Sequence, residues 1–192
     1  MGRRSRFTDF EIFAAVSAQI AQGDEVRIHD LAADTGVSVG SLYHRYGSRE
    51  GIMAAAWLSS VQAFQSEFLA ALQSDSPDAG ENAALATPRF CRSHRDQAVI
   101  LCVGRRETLL NDKAPPEIRH KVDALNADAR SGLAAFANRQ SLDMQACLHA
   151  IVAFPLASVR LYLPGKKVPK SVDDYIKAAY HSAIAIGAKP EA

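Results

Sequence analysis

The chain is poor in cysteine, and the three it has, Cys91, Cys102 and Cys147, are an odd number at wide spacing. That pattern excludes a disulfide framework and lacks the paired spacing of a zinc site, so all three read as reduced core residues. Long apolar runs are missing too. The longest, 142–163, is interrupted by Asp143, Gln145, His149 and Arg160, which argues against a membrane span. The basic start, Met1-Gly2-Arg3-Arg4-Ser5-Arg6, leads into a capped polar helix where a secretory leader needs an apolar stretch. The cytoplasm is therefore the expected location. No phosphate-cradling glycine loop and no paired-carboxylate motif occurs. Cys91 and His94, with Cys102 beyond them, lack the third orienting group that thiol or metal chemistry needs. We expect no enzyme, no catalytic residue, no metal and no cofactor.

A strong charge of one sign is absent as well. The formal net charge is +1, and residues 1 to 50 hold six Arg against seven Asp and Glu. Placement matters more than the sum: Arg3, Arg4 and Arg6 cluster at the start, and no acidic residue lies between Thr35 and Arg49. One face of this region is therefore expected to be locally positive.

What is present is a chain of 192 residues, 48% hydrophobic and 22% charged, enough for one or two domains around a sizeable core. No segment shows the period-two alternation of a strand, whereas helical signals recur throughout. Thr8 with Glu11 makes a capping box, Phe7 and Ile12 are spaced as a hydrophobic staple, and Phe10, Phe13, Val16 and Ile20 form an apolar stripe ending at Gly23. A second helix is expected over about 28–35, closed by Gly36, and Ser38 caps a third that ends at Gly47. A long fourth helix, about 48–74, repeats Met53, Trp57, Val61, Phe64, Phe68 and Leu72 at helical spacing. Beyond the break Ser74-Asp75-Ser76-Pro77-Asp78-Ala79-Gly80, helices are expected at about 81–93, 95–111, 116–139, 141–163 and 171–187. The fold class is all-α with about nine helices. Residues 1–50 form one domain and 51–192 a second.

Two short helices joined by a glycine turn, with a third before them, are the anatomy of a helix-turn-helix whose second member enters the major groove. On a helical wheel Leu42 and Tyr46 share one face. Gly40, Ser41 and His44 occupy the other, flanked by Tyr43 and Arg45. Glycine inside a helix costs about 0.5–1 kcal/mol relative to alanine, so Gly40 marks a place where another body comes close to the backbone. Arg49, a cation at the start of the fourth helix, opposes the helix dipole unless a phosphate docks there.

The stretch "DLAADTGVSVGSLYHRYGSREGI" resembles the tetracycline-repressor (TetR) family of bacterial transcriptional regulators. Leu31, Ala32, Gly36, Val37, Ser38, Gly40, Leu42, Tyr43 and the aromatic Tyr46 fall in order on that family's motif, and the match spans about residues 7 to 58. Tyr46 stands where phenylalanine is usual, and Arg49 where lysine is usual. Arg27 stands near where a threonine often caps the second helix, so that helix starts frayed or Arg27 itself reaches a phosphate. The resemblance implies that Ser38, Tyr43 and Arg49 contact the sugar-phosphate backbone of double-stranded DNA, while Val39, Gly40, Ser41 and His44 face base edges. It further implies a homodimer on a palindromic operator, pairing through the predicted helices 141–163 and 171–187, and a C-terminal domain that takes an effector.

The predicted helix 141–163 is apolar nearly all round, as a helix buried on two sides would be. The expected function is that of a repressor released from its operator by a small, largely apolar ligand. Trp57, Val61, Phe64, Phe90, Cys102 and Phe136 are the candidate pocket walls. The alternative is a helical protein that binds DNA or a partner without any effector.

Overall fold

The structure, a computed structural model, describes residues 7–187, and every regular element within them is helical. The basic cluster Arg3, Arg4 and Arg6 lies outside the described residues. The elements are α1 (Asp9–Gln22), α2 (Ile28–Thr35), α3 (Val39–Tyr46), α4 (Arg49–Gln73), α5 (Ala79–Ser93), α6 (Arg95–Cys102) and α7 (Arg106–Leu109). They continue with α8 (Pro116–Arg139), α9 (Met144–Leu148), a π-helical segment (His149–Ala153), α10 (Phe154–Arg160) and α11 (Val172–Gly187).

Local chemistry accounts for most of these bounds. The Thr8 hydroxyl accepts from the Glu11 amide at 3.4 Å while the Thr8 amide donates to the Glu11 carboxylate at 2.8 Å, a closed capping box. Those hydrogen bonds hold the Glu11 carboxyl below its ordinary value. Gly36 takes the left-handed conformation, φ +67°, that turns the chain between α2 and α3. The apolar stripe of α1 differs from the sequence reading at one position: Phe10 is 71% exposed, and Ile12 and Val16 are the residues fully covered. Phe10 precedes Ile12 by two residues, which puts it about 200° away around the helix, on the solvent side.

Two predicted helices are broken. The expected 95–111 helix stops at Cys102, and the chain turns a tight corner at Gly104, where a Cβ would meet the Ile100 carbonyl and the Leu109 side chain; α7 resumes beyond it. The expected 141–163 helix spans 144–160 and widens into a π turn at its centre, where the Phe154 amide reaches back to the His149 carbonyl. Pro155 follows at once. A proline has no N–H for the next intrahelical bond, and the π turn absorbs that gap.

α4 is the strut of the molecule, packed on α3 at its start, on α6 in the middle and on α5 and α8 along its length. One core cluster, containing Ile12, Val16, Leu31, Leu42, Ile52 and Trp57, also takes in Ile100, Leu109 and Val122, so it runs across residue 50. A second joins Phe68 and Leu72 to Phe136, Cys147 and Ile151, and a third joins Leu85, Phe90 and Val99 to Val159, Val172 and Ile176. α6 belongs to two of them, packing on α1 and α4 on one side and α5 on the other.

Candidate nucleic-acid interface and internal cavity

α3 is anchored by Leu42, with Val39 and Tyr46 partly covered beside it, and its other side is bare. Leu42 is fully buried and Val37, just before the helix, is nearly so. The Ser38 hydroxyl accepts from the Ser41 amide at 3.1 Å, capping the helix. Gly40, Ser41, Tyr43 and His44 are exposed, as is Ser38, while Val39 is half-buried against the core. A Cβ built on Gly40 would meet only the Ser38 hydroxyl, at 4.0 Å, so nothing among the described residues requires glycine there.

The cations around α3 have partners that local sequence patterns do not reveal. Arg45 pairs with Asp9 at 2.9 Å and lies over the Phe7 ring. Tyr46 donates its hydroxyl to the same Asp9 and packs beside Phe13. Burial, and then the Asp9 carboxylate, push the Tyr46 hydroxyl well above the ordinary phenol range, so it stays protonated and acts as a donor. Arg49 donates from Nε to the Val26 carbonyl at 2.6 Å and from its terminal nitrogens to Glu25 at 2.7 Å and Glu50 at 3.5 Å. These contacts supply a reason for a cation at the start of α4 that needs no phosphate. Arg27 is exposed; its backbone amide donates to the Gln19 side chain of α1 at 2.7 Å, which ties down the start of a helix without a capping side chain of its own. Asp9, Gln19 and Glu25 are the supporting residues that the sequence reading missed, since each acts across a separation of 8 to 37 residues.

Midway along α4 a cavity opens between α4, α5, α8 and the α9–α10 run. It has two adjoining lobes of about 320 and 220 Å³. The larger, outer lobe is lined by Phe68, Leu133, Ile151 and, at its exposed rim, Arg130 and Leu148. The inner lobe is lined by Trp57, Val61, Phe90, Cys91, Cys102 and Leu156. Phe64 belongs to both. Five of the six predicted wall residues therefore meet around one space. Phe136 does not: it is buried in the second core cluster, against Gly80 and under the Arg139 guanidinium, one turn of α8 away from the cavity-facing Leu133. Sequence periodicity missed the polar wall residues Gln65, Thr87 and Asn126, because an apolar stripe is what it searches for. Cys91 and Cys102 are free thiols that both line the inner lobe; hydrogen bonding between them and then Arg160 hold the Cys102 thiol below its ordinary value, while the same hydrogen bonding and burial push Cys91 up.

A third surface is apolar and uncovered. Leu148, Phe154, Leu161, Tyr175 and Ile186 are exposed along α9 to α11, Leu161 and Ile186 by more than four-fifths. Among the described residues no helix is long and apolar enough to cross a membrane.

The whole arrangement is similar to solved structures of bacterial regulators. The TetR-family transcriptional regulator PfmR from Thermus thermophilus superposes with a TM-score of 0.72 at 20% identity, over 91% of this chain and 97% of that one. The chain has the TetR-family fold. A TetR-family regulator from Marinobacter aquaeolei (TM-score 0.68, 15% identity, 94% and 95% covered) shares it. So does the transcriptional regulator FadR from Bacillus subtilis (TM-score 0.67, 12% identity, 93% and 98% covered), solved in complex with stearoyl-CoA. No protein-family model and no curated protein matches the sequence. Within the TetR-family fold of this chain, residues 28 to 52, where the sequence resemblance lies, form α2, α3 and the start of α4.

Proposed function

We propose that the chain is a TetR-family transcriptional regulator: a homodimer that binds a palindromic DNA operator through α3 and leaves it when a small, largely apolar molecule fills the cavity. The observation that carries the reading is the outer face of α3, polar and free of acidic residues, with a glycine at its centre that none of the described residues requires. A duplex pressed against that face explains the missing side chain. Ser38 and Tyr43 contact the sugar-phosphate backbone, Arg27 reaches a phosphate, and Gly40, Ser41 and His44 face base edges with Val39 at their margin. Arg49 positions the start of α4 and α2 through Val26 and Glu25. The exposed apolar side chains of α9 to α11 form the dimer face, which joins two recognition helices on two half-sites.

Release follows from connectivity. The cavity walls include Cys102 at the end of α6, and α6 packs on α1 of the helix-turn-helix; α4 carries Trp57, Val61 and Phe64 from the same cavity to the base of α3. A molecule that spreads these walls shifts both connections. Moving the equilibrium from 1:99 to 99:1 requires a differential affinity of about 5.5 kcal/mol. The FadR neighbour, solved in complex with stearoyl-CoA, supports a ligand with a long apolar chain. The test is selection of bound sites from random DNA. A palindrome with half-sites about one helical turn apart is expected; recovery of no site, or of a single asymmetric one, would overturn the reading.

A further inference from the structure

The cavity is not uniformly apolar. Where its lobes meet, Gln65 from α4, Thr87 from α5 and Asn126 from α8 line both of them, so three neutral hydrogen-bonding side chains from three helices converge on one waist. Among the described residues no charged side chain lines the inner lobe, and Arg130 at the outer rim is the one that lines the other. The waist is also incompletely bonded. Gln65 donates from Nε2 to Asn126 Oδ1 at 3.2 Å, but its Oε1 is sealed from water and has no partner. Leaving such an acceptor unsatisfied costs about 1–3 kcal/mol, a penalty that a bound molecule removes when it supplies a donor. Reaching an occupant requires Gln65 to turn about its soft terminal torsion, which moves Nε2 off Asn126 as it brings Oε1 out, so the occupant replaces the Gln65–Asn126 bond as well as filling the empty acceptor.

From this waist we infer that the cavity takes an uncharged, chain-like molecule with a secondary amide at mid-length and one apolar arm in each lobe. The inference rests on the cavity being the effector site. The amide N–H donates to Gln65 Oε1, and the amide carbonyl accepts from the Thr87 hydroxyl or the Asn126 side chain. A carboxylate in place of the amide meets no cation at the waist and is excluded by its desolvation cost. At about 30 Å³ per water-sized group, and with the lobes sharing the waist, each arm is about five to eight heavy atoms long.

The test compares N-hexylhexanamide with hexyl hexanoate, which has the same length but no N–H, and with sodium dodecanoate, which carries a charge. Trp57, the single tryptophan, lines the inner lobe and reports occupancy by its fluorescence. The amide is expected to bind at least tenfold more tightly than the ester and the dodecanoate. Gln65→Leu is expected to erase the preference for the amide over the ester while retaining ester binding, with Gln65→Met as the variant of closest shape should leucine disturb folding. Equal binding of amide and ester to the unaltered protein, or tighter binding of dodecanoate, overturns the amide assignment and leaves the cavity as an effector site. Failure of all three probes to change Trp57 emission or the thermal midpoint, in protein that still binds its selected DNA, overturns the cavity as an effector site and this inference with it.

Discussion

The outer face of α3 and the outer face of α9 to α11 are both bare, yet they are bare in opposite ways. α3 presents Ser38, Gly40, Ser41 and His44, groups that water solvates well, so this face is at rest alone. The other presents Leu148, Phe154, Leu161, Tyr175 and Ile186, and every square ångström left in water forgoes about 25 cal/mol of possible burial energy. A polar bare face needs its partner only to function, whereas an apolar one needs its partner to reach its lowest free energy. Damage to the first should therefore leave the molecule sound and silence it. Damage to the second should change the assembly, and DNA binding through it.

The largest effect is expected from charge on the apolar face. Leu161 and Tyr175 are 81% and 71% exposed, so Leu161→Glu with Tyr175→Glu removes little from the fold of one chain. In a dimer it buries unpaired carboxylates, at several kcal/mol. Sedimentation should show monomer. Affinity for the selected operator should fall at least about 100-fold, equivalent to about 2.8 kcal/mol, because two linked half-sites become separate ones. Far-UV circular dichroism should be unchanged. A double variant that still sediments as a dimer would place the interface elsewhere.

Gly40→Ala sharpens the contrast from the other side. The new methyl finds open space, so it should raise stability by about 0.5–1 kcal/mol in urea unfolding. Against DNA the same methyl stands where the duplex approaches, and about a tenfold loss of operator affinity is expected, near 1.4 kcal/mol. A variant more stable and equally active would remove the reason for assigning this face to DNA.

The two regions also differ in how far they can be read from the amino acids alone. α1 to α3 are written in local signals: the Thr8–Glu11 box, Gly36 at positive φ and the Ser38 cap each act within three or four residues, and each is found where the pattern puts it. The same holds for the inward Leu42 and the outward Ser41 and His44. Beyond Gln73 the helices are legible, but their breaks are not, because the tight corner at Gly104 shows only in how close Leu109 comes to it and the π turn depends on how Pro155 is accommodated within a packed helix. The cavity shows the same limit. Trp57, Val61 and Phe64 follow from a stripe on α4, whereas Phe136 and Leu133, three apart on α8 and buried in one core cluster, differ in that Leu133 also lines the cavity, a distinction set by the neighbouring helices. Arg49 is the instructive case in the DNA-reading region, for its partners Glu25 and Val26 lie more than 20 residues away.

Arg49 tests how much of the α3 region is contact and how much is support. Its side chain is 26% exposed and that of Glu25 is 70% exposed, so the ion pair itself adds little and the Val26 carbonyl bond carries most of the tie. Arg49→Ala should lower stability by about 1 kcal/mol in urea titration. Operator affinity should fall a few-fold for all sequences alike, with an unchanged slope against log salt. Loss of a phosphate contact would instead reduce that slope by about one per chain. A reduced slope with unchanged stability would return Arg49 to the DNA interface.

The smallest effect concerns what holds α11, and with it half of the apolar face, to the rest of the chain. Glu81 on α5 meets Lys177 at 3.1 Å and His181 at 2.9 Å on α11. Burial raises the Glu81 carboxyl, but the hydrogen bonds and charges of Lys177 and His181 outweigh it and leave the group below its ordinary value of 4.5. A carboxyl with a depressed folded pKa contributes stability above its unfolded pKa and loses it as pH falls through the folded value. Lys177 and His181 are themselves 44% and 67% exposed, so solvent screens the cluster and its worth at neutral pH is less than about 0.5 kcal/mol. Glu81→Gln should therefore lower the unfolding midpoint only slightly at neutral pH. The gap to the unaltered protein should close as pH drops below 4.5, followed by thermal unfolding across that range. The dimer should survive the substitution, since Val172 and Ile176, 2% and 1% exposed, dock α11 by apolar packing. Dissociation of the Glu81→Gln variant at neutral pH would mean that charge, not burial, seats α11, and the contrast between the two bare faces would then have to be drawn in electrostatic terms.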